Sequence, residues 1–507
     1  MSNTDIPFNK TPNKQASPLA NVFKLVMGTV FAQVLTIITT PILTRLYGPN
    51  NFGTAALFSS IVVLISGISC MCYERSILLP KSDEEAVNLL GVSLVILFFV
   101  TVFCFLIIFL GNRFLSGWLE STGIRSYIWL MPIAIFFSGL FFVLNYWNTR
   151  TKHFGRLAIS RVSSAITADA FQLSRGFLGF TSAGSLIVGD ILGSFVSNLN
   201  LALRVWRENI KFFLLHINLK DMLKGFKRHK KFPLFLSWST LINSLSVQLP
   251  IIFLATFFSA PVVGQYALGY RLLQVPMNLV GDAIKQVFSQ RAAVMNLEGK
   301  LNFLVESTFK RLFLITVFPS FLLALFGKEI FIVFFGQRWA EAGVYTQILS
   351  FWTFFVFIGA PISSLNSIIE RQEISLILNI LFIVTRFISI VVGGLMKNIY
   401  VALILFSFSG VLVWIVVILW YFFLTGASIK KTSVDIARNI LPAFALLMII
   451  LSIKILYSQK IAVPVFAGII LTPVYYMFLL KNDSALQKEV FFYLSKLKFI
   501  KNKDIGT

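Results

Sequence analysis

Charge is scarce in this chain, and acid is scarcer than base. Of 507 residues only 13% are Asp, Glu, Lys or Arg, against about 25% in a soluble globular chain. So little charge cannot cover the surface of a water-soluble fold. Histidine and cysteine are scarcer still, three of each. Cys70 and Cys72 form a C-x-C, but no second pair answers it and the histidines are too few to complete a metal site. With Cys104 they read as small apolar core residues. A Gly-rich phosphate loop, a D-x-D and a Ser/His/Asp cluster are all missing, so we assign no catalytic residue, no metal and no cofactor. A cleavable signal is missing too. Met1 to Leu19 is polar, with Asn, Lys and Pro, which leaves the first apolar run to direct insertion.

What is present in excess is apolar side chain: 57% hydrophobic residues and 54 Phe, with a mean hydropathy of +0.82. A bilayer absorbs that composition because it is itself the apolar phase. A hydrophobic helix needs about 20 residues to cross the hydrocarbon core. Runs of that length lie at 22–46, 54–79, 87–110, 127–146, 158–180, 184–205, 234–258, 263–288, 303–326, 344–369, 374–395, 399–423, 440–457 and 461–480. The expectation is an all-α polytopic membrane protein of about fourteen spans. The fifth and eighth are the least hydrophobic.

The formal charge of +23 would suggest nucleic acid in a soluble protein. Here the cations fall in short connectors, so no nucleic-acid partner is expected, and their distribution orients the chain. With the N-terminus inside, one set of connectors holds Arg150, Lys152, Arg156, the Lys211–Lys231 segment, Arg291, Lys300, Lys430 and Lys431, and the tail adds Lys488, Lys496, Lys498, Lys501 and Lys503. The other set holds only Arg45, Arg113, Arg125, Lys328, Arg338, Lys397 and Lys460. Both termini are therefore expected to be cytoplasmic, with an even number of spans. The expected divisions are a tail at 1–21, a first lobe at 22–207, a basic linker at 208–232, a second lobe at 233–424, two peripheral spans at 425–481 and a basic tail at 482–507. The linker carries Lys211, Lys220, Lys224, Lys227, Arg228, Lys230 and Lys231. It is read as a hinge on the inner surface, where basic stretches also attract anionic headgroups.

The two lobes echo each other. Gly53-Thr-Ala-Ala56-Leu57 opens the second span and Gly264-Gln-Tyr-Ala267-Leu268 opens the eighth. Each follows a helix with an internal proline, Pro41 or Pro250, and a loop proline, Pro49 or Pro261. Transporters build central cavities from such repeats.

Ionisable residues at membrane depth cost about 2.5–3.5 kcal/mol each at a helix centre, so they face protein or water. On the eighth span Arg271, Gln274, Asn278, Asp282 and Lys285 fall within a wedge of roughly 80° at about 100° per residue. On the seventh, Ser237, Thr240, Ser244 and Gln248 form an uncharged stripe. On the fifth, Arg161, Ser164, Gln172 and Arg175 share a face with Asp169 at its edge. Helix packing and cavity lining both account for such stripes. For the arginines lining is favoured, and the slight excess of cations suits an anionic ligand. Gln33 and Arg45 on the first span, Glu74 and Arg75 on the second, Asp190 on the sixth and Arg386 on the eleventh are further candidates.

Pro41-Ile-Leu-Thr-Arg-Leu-Tyr-Gly-Pro49, Phe52-Gly53 and Tyr73-Glu74-Arg75-Ser-Ile-Leu-Leu-Pro80-Lys-Ser-Asp-Glu-Glu-Ala86 resemble the start of bacterial polysaccharide (O-antigen type) flippases. Phe232-Pro233, Pro250, Gly264–Leu268, Arg271 with Pro276, and Phe335-Gly336-Gln-Arg-Trp339-Ala-Glu-Ala-Gly343 are similar to later parts of that family, so the resemblance spans about residues 20–370. It implies the multidrug/oligosaccharidyl-lipid/polysaccharide exporter fold, with two six-helix lobes in a V plus two helices. It also implies transfer of an undecaprenyl-pyrophosphate-linked oligosaccharide between leaflets of the bacterial plasma (inner) membrane, for O-antigen, capsule or exopolysaccharide assembly, by alternating access driven by protons or sodium ions. Further implied partners are membrane lipids, a polysaccharide polymerase and a chain-length regulator. On this reading the cavity residues are Arg271, Gln274, Asn278, Arg175, Arg161, Gln33, Arg45 and Gln248, and the coupling acid is one of Asp169, Asp190, Glu74 and Asp282. Arginines suit the task because they offer phosphate charge-assisted, bidentate contacts.

Two other classes make different demands on the sequence. A multidrug antiporter on the same fold calls for a mainly acidic cavity, which the eighth-span stripe opposes. A membrane-embedded polymerase calls for a large outer loop with acidic or His-rich motifs, and the outer loops here are short.

Overall fold

The computed structural model describes residues 18–111, 117, 120, 122–277, 281–457, 459–482 and 487. Among these the chain is helical, without strands. Twelve helices are long and apolar enough to cross a membrane. The remaining two runs of the expected fourteen are also helical, at Phe154–Phe177 and at Ala260–Pro276 with Asp282–Leu297. Their charged and polar residues keep them out of the apolar set, and the count of fourteen spans is not established by length and composition.

Local signals set the helix ends. Asn398 accepts from the backbone N–H groups of Tyr400 and Val401 at the start of Ile399–Thr425, and Gly426 closes that helix with φ 67°. A left-handed closing residue is cheap only without a Cβ. Ser428 then caps Ile429–Leu456 through the N–H of Lys431. Leu301–Phe335 runs 35 residues, about 50 Å at 1.5 Å per residue, well beyond a hydrocarbon core of about 30 Å.

Two expected spans change. The second was expected over 54–79, but its helix is Pro49–Ser66. Beyond it Met71 and Cys72 adopt left-handed backbone, φ 47° and 58°, and a four-residue helix, Tyr73–Ser76, follows before Asp83–Gly111 begins. The eighth was expected as one helix over 263–288. Regular α-helix stops at Pro276 and resumes at Asp282, with π-type backbone at Met277 and Gly281. Pro276 has no N–H to donate and its ring crowds the carbonyl four residues back. A π turn changes the angular step per residue, so Met277 and Gly281 interrupt the regular step of about 100° on which the expected wedge rests.

The described residues fall into two compact units, those within 1–47 and 54–248, and those within 48–53 and 249–507. In the first, Tyr73, Val87, Leu97, Trp147 and Phe213 belong to a buried apolar cluster. In the second, Leu268, Phe331, Phe335, Trp339 and Ala342 form another, with Phe52 edge-on to Trp339 at 5.0 Å. The last two long helices fasten to Leu301–Phe335. Tyr475 and Tyr476 donate to the carbonyls of Leu314 and Ile315, and Lys454 sits 2.8 Å from Glu329.

Candidate functional site

In the first unit the polar residues of Phe154–Phe177 meet the helices Pro18–Leu46 and Ala183–His216. Arg161 donates to Thr29 Oγ1 at 2.6 Å. Thr39 donates to Asp169 Oδ2 at 2.8 Å, and Asp169 is 7% exposed. One turn on, the Gln172 amide donates to the Leu186 carbonyl at 3.0 Å and to Asp190 Oδ1 at 2.9 Å, while Tyr47 donates to the Gln172 carbonyl at 2.7 Å. Phe154–Phe177 is thus tied on both sides through a carboxylate, its own Asp169 accepting from Thr39 of the first helix and its Gln172 donating to Asp190 of Ala183–His216. Gly189 makes the close approach possible, since a Cβ there would come within 2.6 Å of Gln172 Cγ. Arg175 Cζ lies 3.8 Å above the Phe180 ring.

Part of the expected stripe therefore holds helices together. Both N–H bonds of the buried Gln172 amide are spent inside the unit, and Asp169 has Thr39 among its partners. Gln33 differs, because its Oε1 is buried with no hydrogen-bond partner. An unmade hydrogen bond at such an oxygen costs about 1–3 kcal/mol, and a ligand hydroxyl could satisfy it. Arg45 and Asp190 are exposed, and Arg161, Arg175 and Gln248 are half-buried. On the seventh span Thr240 lies 3.6 Å from Cys72 Sγ, so that part of its stripe faces the 67–76 break.

The break holds Glu74. It is 5% exposed, with Oε2 buried and unpartnered and Oε1 3.8 Å from Arg75 Nε. Burial pushes its carboxyl up to about 7, with its own backbone N–H and Arg75 pulling the other way. Below it Arg150, which the sequence offers only as a connector charge, spans the loop before Asp83. It donates to the carbonyls of Ile77 and Pro80 at 2.9 Å and Ser82 at 3.0 Å, and binds Asp83 Oδ1 through two nitrogens. Nothing in the sequence marks this role, because three of its partners are backbone carbonyls and the fourth, Asp83, is far away along the chain.

In the second unit Arg271 is exposed and Gln274 is half-buried, within hydrogen-bonding reach of Tyr270. Asn278 lies outside the described residues, as does the side chain of Asp282. Tyr266, Tyr270 and Trp352 stack in a column, centroids 5.7 and 6.2 Å apart. Beside it Arg386 Cζ is 5.4 Å from the rings of Trp352 and Phe382 and 5.7 Å from Phe406. Such ring faces hold a guanidinium at about 0.5–2 kcal/mol apiece. Pattern reading finds the arginine but not its cage, which comes from three helices.

The repeated G-x-x-A-L motifs also meet. Within the second unit a Cβ on Gly53 would overlap the carbonyl oxygen of Ala260, and one on Gly264 would overlap that of Pro49. The contact is reciprocal, each glycine facing the residue four places before the other.

The family described as polysaccharide biosynthesis protein matches residues 42–344. No curated protein matches the chain. Among solved structures, the lipid II flippase MurJ in an inward closed conformation is 13% identical, with 92% of this chain and 99% of that one covered and a TM-score of 0.66. An inward-facing multidrug resistance MATE family transporter of the MOP superfamily is 17% identical, covering 82% of this chain and 100% of its own, at a TM-score of 0.60. A MOP superfamily transporter from Pyrococcus furiosus, titled for the reverse polarity of its binding pocket, is 17% identical over 81% and 96%, at 0.50. These likenesses establish a MOP-type fold for this multi-pass membrane protein.

Proposed function

We propose a function for a chain that belongs to the polysaccharide biosynthesis protein family: it is a flippase that carries undecaprenyl-pyrophosphate-linked oligosaccharides from the cytoplasmic to the outer leaflet. The observation that carries this reading is the sign of the charge on the two helical stretches that fall outside the apolar set. Within the expected spans, 158–180 holds Arg161 and Arg175 against Asp169, and 263–288 holds Arg271 and Lys285 against Asp282. Cations retained at membrane depth suit a pyrophosphate, which cannot cross hydrocarbon unaided and whose oxygens take bidentate arginine contacts. Arg271, Gln274, Asn278, Arg161, Arg175, Arg45, Gln33 and Gln248 are the proposed lining, and Gln33 offers its unpartnered oxygen to a sugar hydroxyl.

Movement is coupled to protons or sodium ions at one of Asp169, Asp190, Glu74 and Asp282. The contacts of Asp169 with Thr39 and of Asp190 with Gln172 favour the first two, since a change of charge at either alters a contact between Phe154–Phe177 and a neighbouring helix. The chain acts as a carrier and not as an enzyme, in a plasma (inner) membrane with both termini cytoplasmic, and a polymerase and chain-length regulator take over its product.

The same two acids, Asp169 and Asp190, with the likeness to MATE transporters, favour a cation antiporter as the second reading. Arg271→Ala separates the two. In cells that depend on this chain, polymerised surface glycan should fall at least tenfold at equal protein level in the membrane. Unchanged glycan together with altered drug resistance would favour the antiporter.

A further inference from the structure

We propose that the segment Ile217–Lys231 is a membrane-surface strap whose partner is the anionic phospholipid of the leaflet it borders. In Leu219–Arg228 the apolar residues Leu219, Met222, Leu223 and Phe226 recur at helical spacing, and Asn218 caps the first turn by accepting from the Lys220 N–H. Leu219 is 72% exposed and Leu223 52%. The flanking Leu214, Leu215, Leu234 and Phe235 are exposed as well. That much apolar surface is out of place in water, yet Lys220, Lys224, Lys227, Arg228, Lys230 and Lys231 are all exposed among it. Alternation of this kind matches the headgroup boundary, where apolar side chains dip toward acyl chains and ammonium groups reach phosphates.

Chain length puts the strap outside the hydrocarbon core. Ala183–His216 runs 34 residues, about 50 Å, so its end projects beyond a hydrocarbon core of about 30 Å. The next apolar helical run begins at Phe232. Fifteen residues between two membrane-long helices have nowhere to go but along the surface.

The face turned inward is fastened. Asn88 donates to the His216 carbonyl at 2.9 Å and accepts from the Asn218 N–H at 3.0 Å. A Cβ on Gly91 would meet Met222 Cε at 3.1 Å, and one on Gly225 would meet Leu89 at 3.1 Å. Arg228 holds Glu85 at 2.6 Å. The Phe226 ring stacks on Tyr73 at 5.3 Å, and the Tyr73 hydroxyl donates to the Phe226 carbonyl at 2.9 Å. Tyr73 precedes Glu74 in the break after Ser66. Lipid that seats the strap therefore also steadies that break.

The inference stands independently of the substrate carried. Its test uses the full chain in nanodiscs of phosphatidylcholine alone or mixed with phosphatidylglycerol, read by amide hydrogen exchange. Exchange over 217–231 should slow about tenfold with the anionic lipid, peptides over 70–78 should slow with it, and high salt should reverse both. A variant with Lys220→Gln, Lys227→Gln, Lys230→Gln and Lys231→Gln spares Lys224 and Arg228, which hold Asp221 and Glu85. It should lose the lipid dependence while exchange in Leu301–Phe335 stays unchanged, which excludes misfolding. Equal exchange in both lipids, or a lipid dependence that survives in the variant, overturns the proposal. In that case the apolar face seats without reading charge, or belongs to a protein partner. Slowing over 217–231 without slowing over 70–78 overturns the link to the break.

Discussion

Glu74 is a carboxyl buried at a helix break, with one oxygen unpartnered and Arg75 3.8 Å from the other. Its folded-state pKa is raised to about 7 from an ordinary 4.5, so the folded chain holds that proton more tightly than the unfolded chain does. Its contribution to stability is therefore present below the ordinary value and is lost as pH climbs through about 7. Glu74→Gln should match the native chain in thermal unfolding near pH 5 and exceed it near pH 8. The gap should approach about 3 kcal/mol, from a shift of this size at about 1.4 kcal/mol per unit. A difference that stays flat across pH would show the carboxylate to be satisfied by a group the geometry does not reveal. Arg150 teaches a related lesson. A connector cation is ordinarily a matter of membrane orientation, but this one satisfies three carbonyls and an aspartate at once. Its planar fork makes lysine a poor substitute there.

Backbone conformation decides much of what happens at the scale of the helix. Pro276 interrupts the polar eighth span, and the second span's helix ends at Ser66, with left-handed Met71 and Cys72 in the break beyond it. Both events fall where the residue pattern alone reads as continuous helix, because periodicity says nothing about a backbone that is paid for by its neighbours. Gly53 and Gly264 act differently, by letting two backbones touch. Gly264→Ala should lower thermal stability by about 2–3 kcal/mol, since the obstructing atom is a backbone carbonyl that cannot swing aside. Gly155→Ala provides the control. It is helical with open space around it, and alanine there should be neutral or stabilising by up to about 1 kcal/mol. Equal effects at the two sites would mean that the Gly264 crossing is loose.

On the proposed topology the cations of the whole molecule gather on one side, which the positive-inside rule turns into an orientation. Single cysteines replacing Glu298 and Lys397, in a chain whose Cys70, Cys72 and Cys104 are changed to Ser, should react with impermeant thiol reagents from opposite faces of the membrane. Glu298 should react only when the cytoplasmic face is open to the reagent. Labelling of both from one side would overturn the proposed topology.

Partition into the bilayer was determined by the sequence itself, because hydropathy adds along a chain whatever its neighbours do. For the same reason the runs at 87–110 and 399–423 are matched by helices at Asp83–Gly111 and Ile399–Thr425. The excess of cations on the two least apolar stretches was also legible, and so was the faint repeat whose glycines turn out to touch. The direction in which a polar side chain points was decided only by tertiary structure. Gln172 and Arg161 lie on one helical face, yet one bonds Asp190 and the other Thr29. Arg386 stands out on its helix, but its ring cage comes from residues far apart in the chain. A side chain's partner is set by which helices pack together, and long-range packing has no periodicity to read.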